Sequence, residues 1–195
     1  MIPIENELEK RSMLSKEKYM EIVSDIFFLN EKYYSFDMTN RYYDDDELSL
    51  FKNKIVFRTR ELSNDIIMTL KITQEDDSSI EINEVIDNRQ LQALINNGEI
   101  PYGNVRLKLI ELRIDFSNVH FKGLNKVRRI ETYLDDSTIC LDKVVINDNE
   151  TYDIEVESSS LEKASEIIKE YSEKYNFEIT KDYESKALRT LKNGD

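Results

Sequence analysis

The chain has 195 residues, with 27 Lys and Arg against 40 Asp and Glu, a net charge of −13, 39% apolar residues, 4 Gly and 2 Pro. These values suit a single α+β domain over 1–195 with one core, and they exclude a collagen-like or linker-rich chain. They also exclude general binding to nucleic acid or an anionic membrane, since phosphates are repelled over most of such a surface; specific anion binding survives where basic residues are collected.

The segment from Ile4 to Arg11 alternates, with Glu5, Glu7, Glu9 and Arg11 on odd positions, and predicts a strand with its charges on one face. Tyr19, Ile22, Val23, Ile26 and Phe27 then repeat at helical spacing, with Ser15 as the N-cap. Asp37 to Asp44 reads as a strand, and Asp46 to Lys52 as a short helix. Lys54 to Glu61 and Ile66 to Ile72 form a hairpin around Asn64-Asp65, followed by a strand from Ser79 to Ile86. Asp87 caps a helix that buries Leu91, Leu94 and Ile95 and stops at Gly98. The region 100–118 yields no assignment. Val127 to Leu134, Ser137 to Ile146 and Thr151 to Glu157 complete an antiparallel set. Ser159 and Glu162 read as a capping box for a helix with Leu161, Ala164, Ile167, Ile168 and Tyr171 on one face, and a last helix spans Tyr183 to Leu191.

Cys140 is the only cysteine and His120 the only histidine, which excludes an internal disulfide and zinc sites built on those residues. No run approaches the roughly 20 apolar residues of a membrane span, and MIPIENELEK carries charges where a signal peptide is apolar. A cytoplasmic protein is expected.

The polar faces of the strands carry full charges of both signs. Glu7, Glu9 and Arg11 share the first; Arg58 and Arg60 share the third, Lys71 is on the fourth, and Glu81 with Asn83 on the fifth; Asp153, Glu155 and Glu157 line the last. A solvated outer face is one reading of such strands. The other is a sheet closed into a barrel, with the acids of the edge strands turned toward the bases between them. Such an interior holds a polyanion on Arg and Lys, and divalent cations on carboxylate oxygens.

The run Glu7-Leu8-Glu9-Lys10-Arg11 resembles the ExExK signature of the CYTH family, the triphosphate tunnel metalloenzymes. Thr39-Asn40-Arg41-Tyr42-Tyr43-Asp44 is similar to its TN-x-Y-[FY]-D strand, Arg58-Thr59-Arg60-Glu61 to its RxRE and Thr69-Leu70-Lys71 to its TLK. Leu141-Asp142, Asp153-Ile154-Glu155-Val156-Glu157 and Ser185-Lys186-Ala187-Leu188-Arg189 follow in the family's order, in the style of the Gram-positive bacterial branch. The resemblance implies an eight-stranded antiparallel β-barrel, a tunnel flanked by helices, acting on a small-molecule triphosphate with Mg2+ or Mn2+. Arg11 falls where the family has lysine; it keeps the charge but does not lose its proton. Asn83 stands where a second carboxylate is frequent.

From these residues Glu7, Glu9, Glu81, Asp142, Asp153, Glu155 and Glu157 are the candidate metal ligands. Arg58, Arg60, Lys71, Arg129, Lys186 and Arg189 are the phosphate ligands, and Glu7, Glu9 and Arg11 the catalytic set. Hydrolysis of inorganic tripolyphosphate is the leading expectation. The alternatives are a class IV-type adenylate cyclase, a thiamine triphosphatase, or a non-catalytic sensor of polyphosphate or nucleotide. No partner is expected beyond the triphosphate, and a homodimer stays open.

Overall fold

The computed structural model describes residues 4–29, 32–75 and 78–193. Among them the strands are β1 (Ile4–Glu7), β2 (Glu9–Leu14), β3 (Tyr33–Asp44), β4 (Ile55–Glu61), β5 (Ile66–Thr73), β6 (Ser79–Ile86), β7 (His120–Leu134), β8 (Ser137–Ile146) and β9 (Asn149–Glu157). The helices are α1 (Lys16–Phe28), α2 (Ser49–Lys52), α3 (Asn88–Asn97), α4 (Asn104–Glu111), α5 (Leu161–Tyr175) and α6 (Lys186–Asn193). No helix among the described residues is long and apolar enough to cross a membrane. All eight expected strands are present; the first is split at Leu8, which makes nine. The strand order is β1-β6-β5-β4-β3-β7-β8-β9-β2, so its two ends, β1 and β2, are consecutive in the chain.

Packing groups the chain into two compact units, and β3 and β7 each contribute residues to both. The first holds 38–125 with both chain ends. Tyr43, Phe57, Leu70 and Ile82 stand side by side across β3 to β6, and α3 and α4 cover that apolar face with Leu91, Leu94, Val105 and Leu109. Asp87 and Gln90 form the capping box that opens α3. Gly98 ends that helix at φ 66, where a side chain would be strained and a Cβ would meet the Val119 carbonyl oxygen at 2.5 Å.

The second unit holds 7–37 and 126–185. Here Leu14, Ile130, Ile139, Leu141, Ile154 and Val156 face α1 and α5, which bury Tyr19, Ile22, Val23, Ile26, Ala164, Ile167 and Ile168. Ser15 accepts the Lys18 N–H at the start of α1.

Several boundaries differ from expectation for local reasons. The cap of α5 is Ser160, whose hydroxyl accepts the Lys163 N–H, one residue after the expected Ser159. The last helix begins at Lys186 rather than Tyr183. The short helix is Ser49–Lys52 alone, entered through Leu48 at φ 54. Both β3 and β7 begin earlier than the alternation predicts, at Tyr33 and His120. The unassigned stretch contains α4, in which Val105 and Leu109 are buried while Leu107 and Ile110 stay exposed, so its apolar residues form no single stripe.

Candidate active site

In the second unit, the antiparallel register of β2, β9, β8 and β7 sets side chains in rows on the face opposite the core, because residues directly across a ladder point the same way. One row reads Glu9, Glu157, Thr138 and Tyr133; the next Arg11, Glu155, Cys140 and Glu131; the third Met13, Asp153, Asp142 and Arg129. These rows hold six carboxylates and two arginines.

Arg129 donates from Nε and Nη2 to the two oxygens of Asp142, at 2.8 and 2.7 Å, and from Nη2 to Glu155 at 2.6 Å. Asp142 and Asp153 are fully buried, and Glu155 and Arg129 nearly so. Burial pushes the Arg129 guanidinium down, but Asp142, together with Cys140 and Glu155, outweighs it and holds the group well above its ordinary value. Arg11 pairs with Glu9 through Nη2 and lies 3.6 Å from Glu155 through Nε. Its guanidinium also sits 5.8 Å from the centre of the Tyr183 ring. Burial pushes the Cys140 thiol well up even though Arg129 acts the other way, so it is no nucleophile at neutral pH.

In the first unit the balance reverses. Arg58, Arg60 and Lys71 share a face with the buried Glu81. Glu81 accepts from Arg58 at 3.2 Å and lies 3.7 Å from the Lys71 ammonium. Burial raises the Glu81 carboxyl, but Arg58, Lys71 and Arg60 together bring it below its ordinary value. Arg60 donates through Nε to Asn40 at 3.1 Å, and Asn40 donates to Asn125 at 2.9 Å. Asn125 in turn donates to the Tyr42 hydroxyl and to Thr190 on α6. On that helix Arg189 is buried, and Lys186 is half-buried at its first turn. Asn83 accepts from Thr69 at 2.7 Å.

The structure therefore brings Glu9, Arg11, Asp142, Asp153, Glu155, Glu157 and Arg129 onto one face of one unit, and Arg58, Arg60, Lys71 and Glu81 onto one face of the other. Glu7 ends β1 and Glu9 opens β2, so the alternation that would align their carboxylates is interrupted at Leu8. Sequence reasoning missed Asn125, Glu131, Tyr133 and Tyr183. Asn125 lies in the part of β7 that alternation did not reveal, and the others gain meaning only from cross-strand register and loop placement.

The donor set tests the fit of a divalent cation. Glu9, Glu157, Asp153 and Glu155 offer only carboxylate oxygen, the donor that hard cations take, and the face carries an excess of negative charge. Among the described residues no three acidic side chains converge on one point as they do around an ion; the guanidinium groups of Arg11 and Arg129 lie among them instead. The donor chemistry fits, and a cation held there would displace Arg11 from Glu9 and Glu155.

A family model described as the CYTH domain matches residues 5–190. No curated protein matches the chain. Among solved structures, a protein from Bacillus halodurans described as a candidate adenylate cyclase is 24% identical, with TM-score 0.86, covering 95% of this chain and 97% of its own. A candidate adenylyl cyclase from Hippeastrum, described as having a dominant triphosphatase activity, is 16% identical with TM-score 0.73, covering 94% of each chain. A protein from Pyrococcus horikoshii is 17% identical with TM-score 0.61, covering 95% of this chain and 99% of its own. These likenesses bear on the fold.

Proposed function

The chain belongs to the CYTH domain family, and on that premise we propose that it hydrolyses a triphosphate with the help of a divalent cation. The observation that carries this reading is the sorting of charge onto strand faces, with one face rich in carboxylate oxygen and another rich in Arg and Lys. Glu9 and Glu157, with Glu155 in the next row and Asp153 in the one after it, would hold Mg2+ or Mn2+, which when bound offsets phosphate charge and polarises the phosphoryl oxygens.

The remaining steps belong to the protein. Arg58, Arg60 and Lys71 exchange part of their interaction with Glu81 for phosphate oxygens, and charge-assisted hydrogen bonds hold the chain of phosphates. Lys186 and Arg189 of the same unit extend the basic set. A carboxylate of Glu7 or Glu9 takes a proton from water as its oxygen attacks the terminal phosphorus. The P–O bond to the bridging oxygen breaks in line, and orthophosphate leaves with the shortened phosphate chain as the second product. Arg11, always protonated, stabilises the charge on the phosphoryl oxygens and plays no part in proton transfer.

Inorganic tripolyphosphate carries every group these residues address, so it is the minimal substrate. The dominant triphosphatase activity described for the Hippeastrum protein supports hydrolysis over cyclisation. The test is product release from tripolyphosphate, ATP and thiamine triphosphate, each with Mg2+ and Mn2+. Orthophosphate is expected; pyrophosphate with cyclic AMP from ATP would make the protein a cyclase, and tight binding without turnover would make it a sensor. Glu9→Gln is expected to remove most of the release while the circular dichroism and melting temperature stay near those of the parent. Near-normal turnover of that variant at limiting metal would overturn the assignment.

A further inference from the structure

The acid-rich face of the second unit carries a pair of aromatic side chains that the hydrolytic reading does not use. Tyr133 lies on β7 in the row of Glu9, Glu157 and Thr138, two rows from Arg129, or about 14 Å along the strand. Tyr34 on β3 meets it edge-on, with ring centroids 6.0 Å apart and planes at 81°. Both rings are open to a ligand, Tyr34 at 62% and Tyr133 at 50% exposure. The Tyr133 hydroxyl donates to Glu131 on the same face. That hydrogen bond is also the main reason its phenol is pushed up to about 12, so the ring stays neutral at working pH.

We propose that Tyr34 and Tyr133 form a stacking platform for a planar aromatic heterocycle esterified to the triphosphate, and so determine specificity for an organic triphosphate over inorganic tripolyphosphate. The proposal rests on the triphosphate reading above. Glu157 and Glu9, the residues that would hold a cation, lie two and three strands from Tyr133 in the same row, while Arg129 and Arg11 lie in the two rows behind it. A phosphate chain whose free end is turned toward those arginines presents its esterified end to the rings. Stacking suits this position because every heterocycle has a π face, and an edge-on tyrosine pair leaves ring faces uncovered.

The test is equilibrium binding of ATP, thiamine triphosphate and tripolyphosphate, with Ca2+ replacing Mg2+ to hold back turnover. Tyr133→Ala is expected to raise the Kd of an organic triphosphate, relative to that of tripolyphosphate, by roughly tenfold, the scale of one lost stack. Tyr34→Ala acts in the same direction, and Tyr133→Phe restores the parent ratio because it keeps the ring. The organic ligand that loses more identifies the heterocycle. Equal weakening of all three ligands would overturn the platform and leave Tyr133 a structural residue. So would unchanged binding, including the case in which Tyr133→Ala converts a dimer to monomers and the rings belong to a subunit interface. If the parent binds none of the three, the triphosphate reading falls, and the platform with it.

Discussion

On β4, β5 and β6 three basic side chains share a face with Glu81, whereas on β2, β9, β8 and β7 six carboxylates share a face with Arg11 and Arg129. Both faces use the same device, charges two residues apart on a strand, and they differ in which sign is left over. An excess of base favours an arriving anion, and an excess of acid favours an arriving cation. Burial separates them further. Asp142 and Asp153 have no exposure and Arg129 clamps Asp142 with two hydrogen bonds, while the Arg58 and Lys71 side chains retain 15% and 14% exposure. The Asp142–Arg129 end of the acid-rich face is therefore a structural ion network, while its Glu9–Arg11 end and the base-rich face are the parts where an internal ion pair can be traded for a ligand.

That contrast breaks most visibly at Arg129. Replacing it by Met removes the guanidinium that clamps the buried Asp142 and also bonds Glu155, and a loss of about 3–5 kcal/mol in urea unfolding is expected. A loss below about 1 kcal/mol, the scale of an exposed ion pair, would show that the network is as dispensable as a surface one.

On the base-rich face the expected cost appears in binding. Arg58→Ala and Arg60→Ala should each weaken tripolyphosphate binding by about 1.5–3 kcal/mol, the range for a hydrogen bond to a charged group. Calorimetric titration checks this, and parent-like affinity in both variants would remove the base-rich face from the phosphate site.

A finer probe is acid. Glu81 has a folded-state pKa below its ordinary value, so its contribution to stability is complete above that ordinary value and is lost as pH falls through the depressed one. Glu81→Gln should flatten that part of the stability–pH curve, read as melting temperature between neutral and strongly acidic buffer. An unchanged acid limb would mean that other carboxylates govern it. The smallest effect is expected at Tyr183, whose ring faces Arg11: Tyr183→Leu should cost about 0.5–1 kcal/mol of stability, as for an exposed cation–π contact. A null result there would leave Arg11 held by Glu9 and Glu155 alone.

Most of the architecture was legible because a strand announces itself by a period of two, and this chain places charges on that period at Glu9, Arg11, Arg58, Arg60, Lys71, Glu81, Asp153, Glu155 and Glu157. Capping was legible where one residue stood alone, at Ser15 and Asp87, and ambiguous in the serine run before α5. Register was not legible. That Glu9 opposes Glu157, or that Tyr133 shares their row, depends on pairings between distant segments, and no local pattern encodes them. The interruption at Leu8 escaped notice for the same reason: the residue continues the alternation of its neighbours, and only the change of pairing partner, from β6 to β9, marks it as a break.

The pairing of β2 with β9 has a consequence for biogenesis. The strand carrying Glu9 and Arg11 is made well before the strand it bonds to, which follows Ile146. Until β9 has been made this ladder cannot form, and the row holding Glu9 and Glu157 does not exist. Such a late, non-local closure is intrinsically slow and exposes an unpaired strand while it waits. The acid-rich face of the second unit is thus assembled only once the β9 segment has been made, however early the β2 segment was in place.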